Sequence, residues 1–203
     1  SALADTINLT PLVLMLDEPE TWLHPSAQLK LGEALSKIGN REQVFIVTHS
    51  PYLIRKFDHN THLLTVLAGQ GAERRVDMST QFGLFGLGEP TWGEINYRAF
   101  NVCSNDFHNE LYGYVQHHLE SQKGDGKFAK EEEVDSYLVS KGLKRDWDWA
   151  RTSTQKYKTT LPVFVRNSIH HPENNLNGEV TERELRDSTK ALVSIVESIN
   201  RSS

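Results

Sequence analysis

Leu12-Val13-Leu14-Met15-Leu16-Asp17-Glu18-Pro19-Glu20, followed by Val44-Phe45-Ile46-Val47-Thr48-His49-Ser50-Pro51, decides the fold of the first part of this 203-residue chain. Both apolar runs are short and neither alternates, the pattern of parallel strands covered on both faces. Between them, from about Pro25 to Ile38, the residues Leu29, Leu31, Ala34, Leu35 and Ile38 recur near helical spacing. The segment therefore reads as a β-α-β unit. Its strands run the same way, and open sheets of this kind bind ligands beyond the carboxyl ends of their strands. Asp17-Glu18 stands at one such end and Thr48-His49 at the next. A carboxylate at Asp17 could hold Mg²⁺ through a water, and one at Glu18 could polarise an attacking water.

The block Asp17-Glu18-Pro19-Glu20-Thr21-Trp22-Leu23-His24-Pro25 resembles the Walker B block of ABC-type ATPases, in particular the overcoming-lysogenization, RecF-like and structural-maintenance branch of AAA-type ATPases. The resemblance covers about residues 11 to 58. It implies ATP and Mg²⁺ as cofactors, held by Asp17, Glu18 and His49, with Asp17 as the metal-side carboxylate and Glu18 as the catalytic one. His49 would be the switch histidine that reads the γ-phosphate. Leu23-His24-Pro25 would lie in the loop facing a partner subunit across a nucleotide sandwich. The chain departs from the pattern in two respects that matter: it contains neither the Gly-x-x-x-x-Gly-Lys-Ser/Thr phosphate loop nor the Leu-Ser-x-Gly signature, both expected upstream, and only sixteen residues precede Asp17. ATP hydrolysis is expected of a longer parent and not of this polypeptide alone. The opening Ser, in place of Met, fits a fragment of something longer.

Beyond the β-α-β unit a third candidate strand runs from His62 to Ala68, completing a C-terminal portion of an ATPase domain over residues 1–68. Glycines and Pro90 then punctuate a connecting segment, about residues 69–93. From there the pattern is helical, and residues 94–203 are expected to form an all-α bundle after the partial parallel α/β sheet. Ser104-Asn105 can cap a helix carrying Phe107, Leu111, Tyr114, Val115 and Leu119. Gly124-Asp125-Gly126 breaks it. A second helix runs from Lys130 to Gly142, a third starts at Thr160 with Pro162 in its first turn and ends at Pro172, and Thr181-Glu182-Arg183-Glu184 is a capping box for the last.

Composition narrows the partners. A net charge of −5 gives no overall basic field for nucleic acid, so such a ligand would need a local patch. The single cysteine, Cys103, rules out an intrachain disulfide framework and fits a cytoplasmic setting. No apolar run approaches a membrane span, and no membrane partner is expected.

The chemistry-bearing stretch of the tail is Arg166-Asn167-Ser168-Ile169-His170-His171. Cutting RNA without metal needs a group that moves protons near neutral pH, which imidazole supplies, and a positive fork at the phosphate, which guanidinium supplies. Arg166 followed by His171 is similar to the Arg-x4-His motif of HEPN ribonucleases. That resemblance makes Arg166 and His171 the catalytic pair, with Asn167 as an orienting residue. His170 competes with His171, and His108 and Glu110 are secondary candidates on an early helix. Together with the ATPase block, the architecture resembles ATPase-linked anticodon nucleases of antiphage defence. It implies a nucleotide-gated, metal-independent endoribonuclease acting on RNA, with tRNA as substrate, as a homodimer or higher oligomer, with a second defence-system protein as a further partner. Two other functions fit less of the sequence. In one, the tail is a helical partner-binding module on an ATPase sensor or scaffold. In the other, Asp146-Trp147-Asp148 is the metal motif of a Toprim-like DNA nuclease.

Overall fold

The computed structural model describes residues 12–56, 66–68, 75–77, 82–86, 89–124 and 127–202. The chain divides into two compact units, residues 1–80 and 81–203. Among the described residues it is mixed α/β and mostly helical, with seven helices and three two-stranded sheets.

In the first unit β1 (Val13–Asp17) pairs in parallel with β2 (Gln43–Val47), from Val13 opposite Gln43 to Asp17 opposite Val47. Helix α1 (Pro25–Gly39) makes the crossover. Pro25 sits in its first turn, where a missing N–H costs nothing, and His24 Nδ1 accepts from Ser26 N at 3.3 Å. Helix α2 (Pro51–Arg55) follows β2 and buries Leu53 and Ile54. At Gly32 of α1 a Cβ would lie 3.1 Å from Lys56 Cβ, so the glycine permits the close approach of the two helices. The expectation that both faces of the strands are covered is not met. Val13, Met15, Phe45 and Val47 are exposed, Met15 to 77%, while the alternate side chains Leu14, Leu16, Val44 and Ile46 are partly buried. The third expected strand is present as β3 (Val66–Ala68), which pairs antiparallel with β4 (Arg75–Asp77), inside the stretch expected to be a connection. The remainder of that expected strand, His62 to Thr65, lies outside the described residues.

The second unit contains α3 (Trp92–Phe100), α4 (Asn105–Lys123), α5 (Glu131–Ser140), β5 (Trp147–Ala150), β6 (Lys156–Thr159), α6 (Leu161–His170) and α7 (Glu182–Ser202). Its main core is the α4 stripe Phe107, Leu111 and Val115 against Leu192, Ile195, Val196 and Ile199 of α7, closed by Val134 and Leu138 of α5 and Val163 of α6. Each such side chain stabilises by roughly 1.5–3 kcal/mol when fully buried. The expected caps form: Ser104 Oγ accepts from Phe107 N at 3.2 Å, and Thr181 and Glu184 exchange bonds of 3.2 and 2.7 Å. Gly142 takes φ +97° just past α5.

The all-α expectation needs correction, because an antiparallel hairpin interrupts the helices. Trp147 faces Thr159 and Ala150 faces Lys156, in register. Short strands of this kind are held by packing. Trp149 is 2% exposed and lies edge-on to Phe164 with ring centres 5.9 Å apart, while Trp147 lies 5.2 Å from the same ring. These tryptophans are strand residues in a second apolar cluster with Phe164 and Val165. No described helix is long and apolar enough to cross a membrane.

Candidate functional site

At the carboxyl edge of the β1/β2 pair the strand register sets Asp17 opposite Val47 and brings the residues after each strand together. Glu18 N donates to Val47 O at 2.8 Å, extending the pairing by one residue. Glu18 then turns the chain with φ +43°, a left-handed conformation that non-glycine residues adopt at a cost of about 1 kcal/mol. Its carboxylate lies 3.7 Å from His49 Nε2, both side chains more than half exposed. Behind them Glu20 is buried, and one carboxylate oxygen accepts from Thr48 Oγ1 and from His49 N at 3.0 Å. Ser50 continues the chain of bonds to Gln28 on α1 at 2.6 Å. Glu20 is thus the buttress that fixes the His49 backbone, a role the sequence reading did not assign. Its place in the Asp-Glu-Pro-Glu run was the available signal. Glu18 and His49 meet at this edge, and Asp17 is the last residue of β1, opposite Val47.

In the second unit, α6 carries Arg166 and Asn167, and His171 caps its end with His171 N donating to Asn167 O at 2.9 Å. All three line one cleft of about 1120 Å³. Its walls are the start of α5, the β5/β6 hairpin, α6 and the loop after His171. That loop is pinned to the hairpin: Asn174 and Asn177 both donate to Ala150 O, at 2.9 and 3.0 Å, and Asn177 Oδ1 accepts from Ala150 N at 2.7 Å. On the opposite side Asp135, 5% exposed, joins Arg145 Nε to Thr160 N, which donates at 2.8 Å, and so fixes the N-terminus of α6 to α5.

Arg166 is the best-held side chain of the cleft. Its Nη1 donates to Asn167 Oδ1 at 3.0 Å and lies 3.7 Å from Glu131 Oε2, and its guanidinium covers the ring of buried Tyr112 at 5.7 Å. Burial pushes the Tyr112 phenol up, against the opposing charge of Arg166. Tyr157 reaches over from the hairpin and donates to Glu131 Oε1 at 3.1 Å. Burial first, then the Glu131 charge, push its phenol up to about 12, so it remains a donor at neutral pH. His171 is half exposed, with Nδ1 3.3 Å from Glu173 Oε1, which leaves Nε2 for a ligand. Glu173 is held below the ordinary carboxylate range by its own backbone N–H and by His171.

The other candidates lie elsewhere. His170 is exposed and does not line the cleft; partial burial, then Arg166 and His171, lower its pKa. His108 is fully buried, bonded to Ser188 Oγ at 2.8 Å, with its pKa lowered to about 4 by desolvation and, less, by His170. It is a packing residue of the core. Glu110 accepts from Thr91 Oγ1 at 2.6 Å and ties α4 to the start of α3, and burial pushes its carboxyl up. Asp148 is 79% exposed and lies 4.0 Å from Lys158, on an antiparallel hairpin, and among the described residues no group of three potential metal ligands gathers. Glu131 and Tyr157, which line the cleft, and Tyr112, buried beneath the Arg166 guanidinium, are residues that the sequence reading did not assign to the site.

Residues 2–54 match the family model described as an AAA ATPase domain. The match supports an AAA-type ATPase region in the first quarter of the chain. No curated protein matches the chain.

Proposed function

We propose that the chain is the output portion of a nucleotide-gated, metal-independent endoribonuclease, a HEPN-type helical unit following an ABC-like AAA ATPase region, with tRNA as substrate and a setting in antiphage defence. The observation that carries the reading is the convergence of Arg166, Asn167 and His171 on one cleft. Arg166 lies in α6 and His171 at its C-cap, and both line this cleft. Arg166 offers a planar fork for a phosphodiester, held in place by Asn167 and by the Tyr112 ring. His171 offers the proton-transfer group, and cleavage by the 2′-hydroxyl leaves a 2′,3′-cyclic phosphate. In the ATPase region Asp17 would hold Mg²⁺ and His49 would read the terminal phosphate of ATP. Gating then requires that nucleotide binding favour one of two arrangements of the protein, since a ligand shifts an equilibrium only through differential affinity.

The test is incubation with end-labelled tRNA in EDTA. Cleavage to a 2′,3′-cyclic phosphate is expected, with Arg166→Ala and His171→Ala each lowering the rate by about 10²–10⁴. Undiminished cleavage in both variants would overturn the reading. Mixing R166A with H171A chains locates the pair. Because both residues line one cleft of one chain, the mixture should stay inactive even in a homodimer, whereas a site shared between copies would recover activity.

A further inference from the structure

We propose that Glu131 is the general base of this cleft, the group that takes the 2′-hydroxyl proton, with His171 as the acid that protonates the leaving oxygen; the inference rests on the RNA-cleavage reading above. Metal-free transesterification must remove one proton and deliver another. Among the described residues His171 is the only histidine lining the cleft, so a second proton-transfer group is needed. Of the lining carboxylates, Asp135 is committed to Arg145 and Thr160 N, and Glu173 is engaged by His171. Glu132 has no contact with the phosphate fork. Glu131 does: its Oε2 lies 3.7 Å from Arg166 Nη1, longer than a hydrogen bond, so this oxygen keeps lone pairs available beside the guanidinium. Its Oε1 is held by the Tyr157 hydroxyl, which fixes the carboxylate against the hairpin. The side chain is 30% exposed, open enough for a ligand to reach.

The geometry suits the reaction. A phosphate oxygen bonded to the guanidinium sits about 2.8 Å from it, and the 2′-oxygen of the same nucleotide is the atom that must approach phosphorus. A carboxylate next to the fork is where that hydroxyl arrives. Glu131 accepts its proton as the 2′-O–P bond forms and the P–O5′ bond breaks, and the imidazolium of His171 gives its proton to O5′. One proton is taken and one given, and solvent exchange restores both groups. The products are a 2′,3′-cyclic phosphate and a free 5′-hydroxyl. The proton-transfer pair and the phosphate fork all come from a single chain.

The test uses the full chain in EDTA with the dinucleotide UpA and a short unstructured end-labelled RNA, with rates measured across the acid and neutral range. Glu131→Gln keeps the shape of the side chain and should lower kcat by about 10²–10⁴ with little change in KM, and should abolish the acid limb of the pH profile; Glu131→Asp should restore part of both. A rise in KM with the acid limb intact would make Glu131 a holder of Arg166 and overturn the assignment. Wild-type kcat in E131Q alongside an inactive H171A would overturn it too and leave the ribonuclease reading standing. Absence of cleavage by the wild-type protein, or equal cleavage by H171A, would remove that reading and the base with it.

Discussion

Asp135→Ala should be the most damaging single change near the cleft that touches neither Arg166 nor His171. The carboxylate is 5% exposed and bonds Arg145 Nε on one oxygen and Thr160 N, at 2.8 Å, on the other. Breaking a fully buried ion pair costs about 3–5 kcal/mol. Arg145, however, is 44% exposed and can turn to water, which moves the pair toward or below the low end of that range. Thr160 is fully buried, so its N–H would be left without an acceptor, at about 1–3 kcal/mol, and α6 would lose an anion at its N-terminus, at about 0.3–1 kcal/mol. These contributions overlap, and a total of about 3 kcal/mol is expected. Asp135→Asn keeps an acceptor for Thr160 N and loses only charge, so about 1–2 kcal/mol is expected. Urea unfolding followed by tryptophan fluorescence reports on this unit, because Trp149 is buried here while Trp22 of the other unit is 98% exposed. With a slope of about 2 kcal/mol/M, the alanine variant should unfold about 1.5 M earlier. A midpoint shift no larger for Ala than for Asn, or below about 0.3 M for both, would refute the account of Asp135 as the tie between α5 and α6.

Two further outcomes follow from the core of the helical unit. His108 is neutral when folded, with its pKa lowered from 6.5 to about 4, so the unfolded chain binds the extra proton and the His108 contribution to stability is intact above about pH 6.5 and lost as pH falls toward 4; stability should fall through that window by as much as about 1.4 kcal/mol per pH unit, and less steeply in His108→Asn, read as lower melting temperatures in a pH series of thermal melts. Gly93→Ala would set a Cβ 2.6 Å from Phe107 Cβ and 2.9 Å from its Cα, where α3 meets α4, so a loss of about 2–3 kcal/mol and a lower melting temperature are expected by calorimetry.

The parts of the fold written in local sequence were legible. Parallel strands must end on the same edge, so Asp17-Glu18 and Thr48-His49 had to meet, and they do. Helix starts at Ser104 and Thr181, and the stop after α6, follow from short-range chemistry of hydroxyls, glutamate and proline. The hairpin was not legible, because Trp147-Asp148-Trp149-Ala150 is too short to display a period and becomes a strand only when Phe164 gives the tryptophans something to cover. Nor was Glu131. In Lys130-Glu131-Glu132-Glu133 it reads as one of three acids favouring a helix start, and only the tertiary fold carries it to Arg166, thirty-five positions on. Glu20 hid in the same way, as a motif letter whose burial depends on Thr48.

Under the proposed ribonuclease reading, the charge on the cleft wall bears on how RNA would be held. Lys130, Arg145, Arg151, Lys158 and Arg166 contribute five positive charges, and Glu131, Glu132, Asp135 and Glu173 four negative ones, a balance of +1 on a chain of −5. Nonspecific nucleic-acid affinity grows with the number of phosphates neutralised, and this wall neutralises about one or two. The cleft is therefore suited to positioning a single phosphodiester and poorly suited to gripping a folded RNA. Whatever affinity a tRNA has must come from surface beyond the cleft. Affinity and chemistry are then separable: a dinucleotide and a tRNA would share the same proton transfers at Glu131 and His171, and so the same response of kcat to pH, while differing in KM.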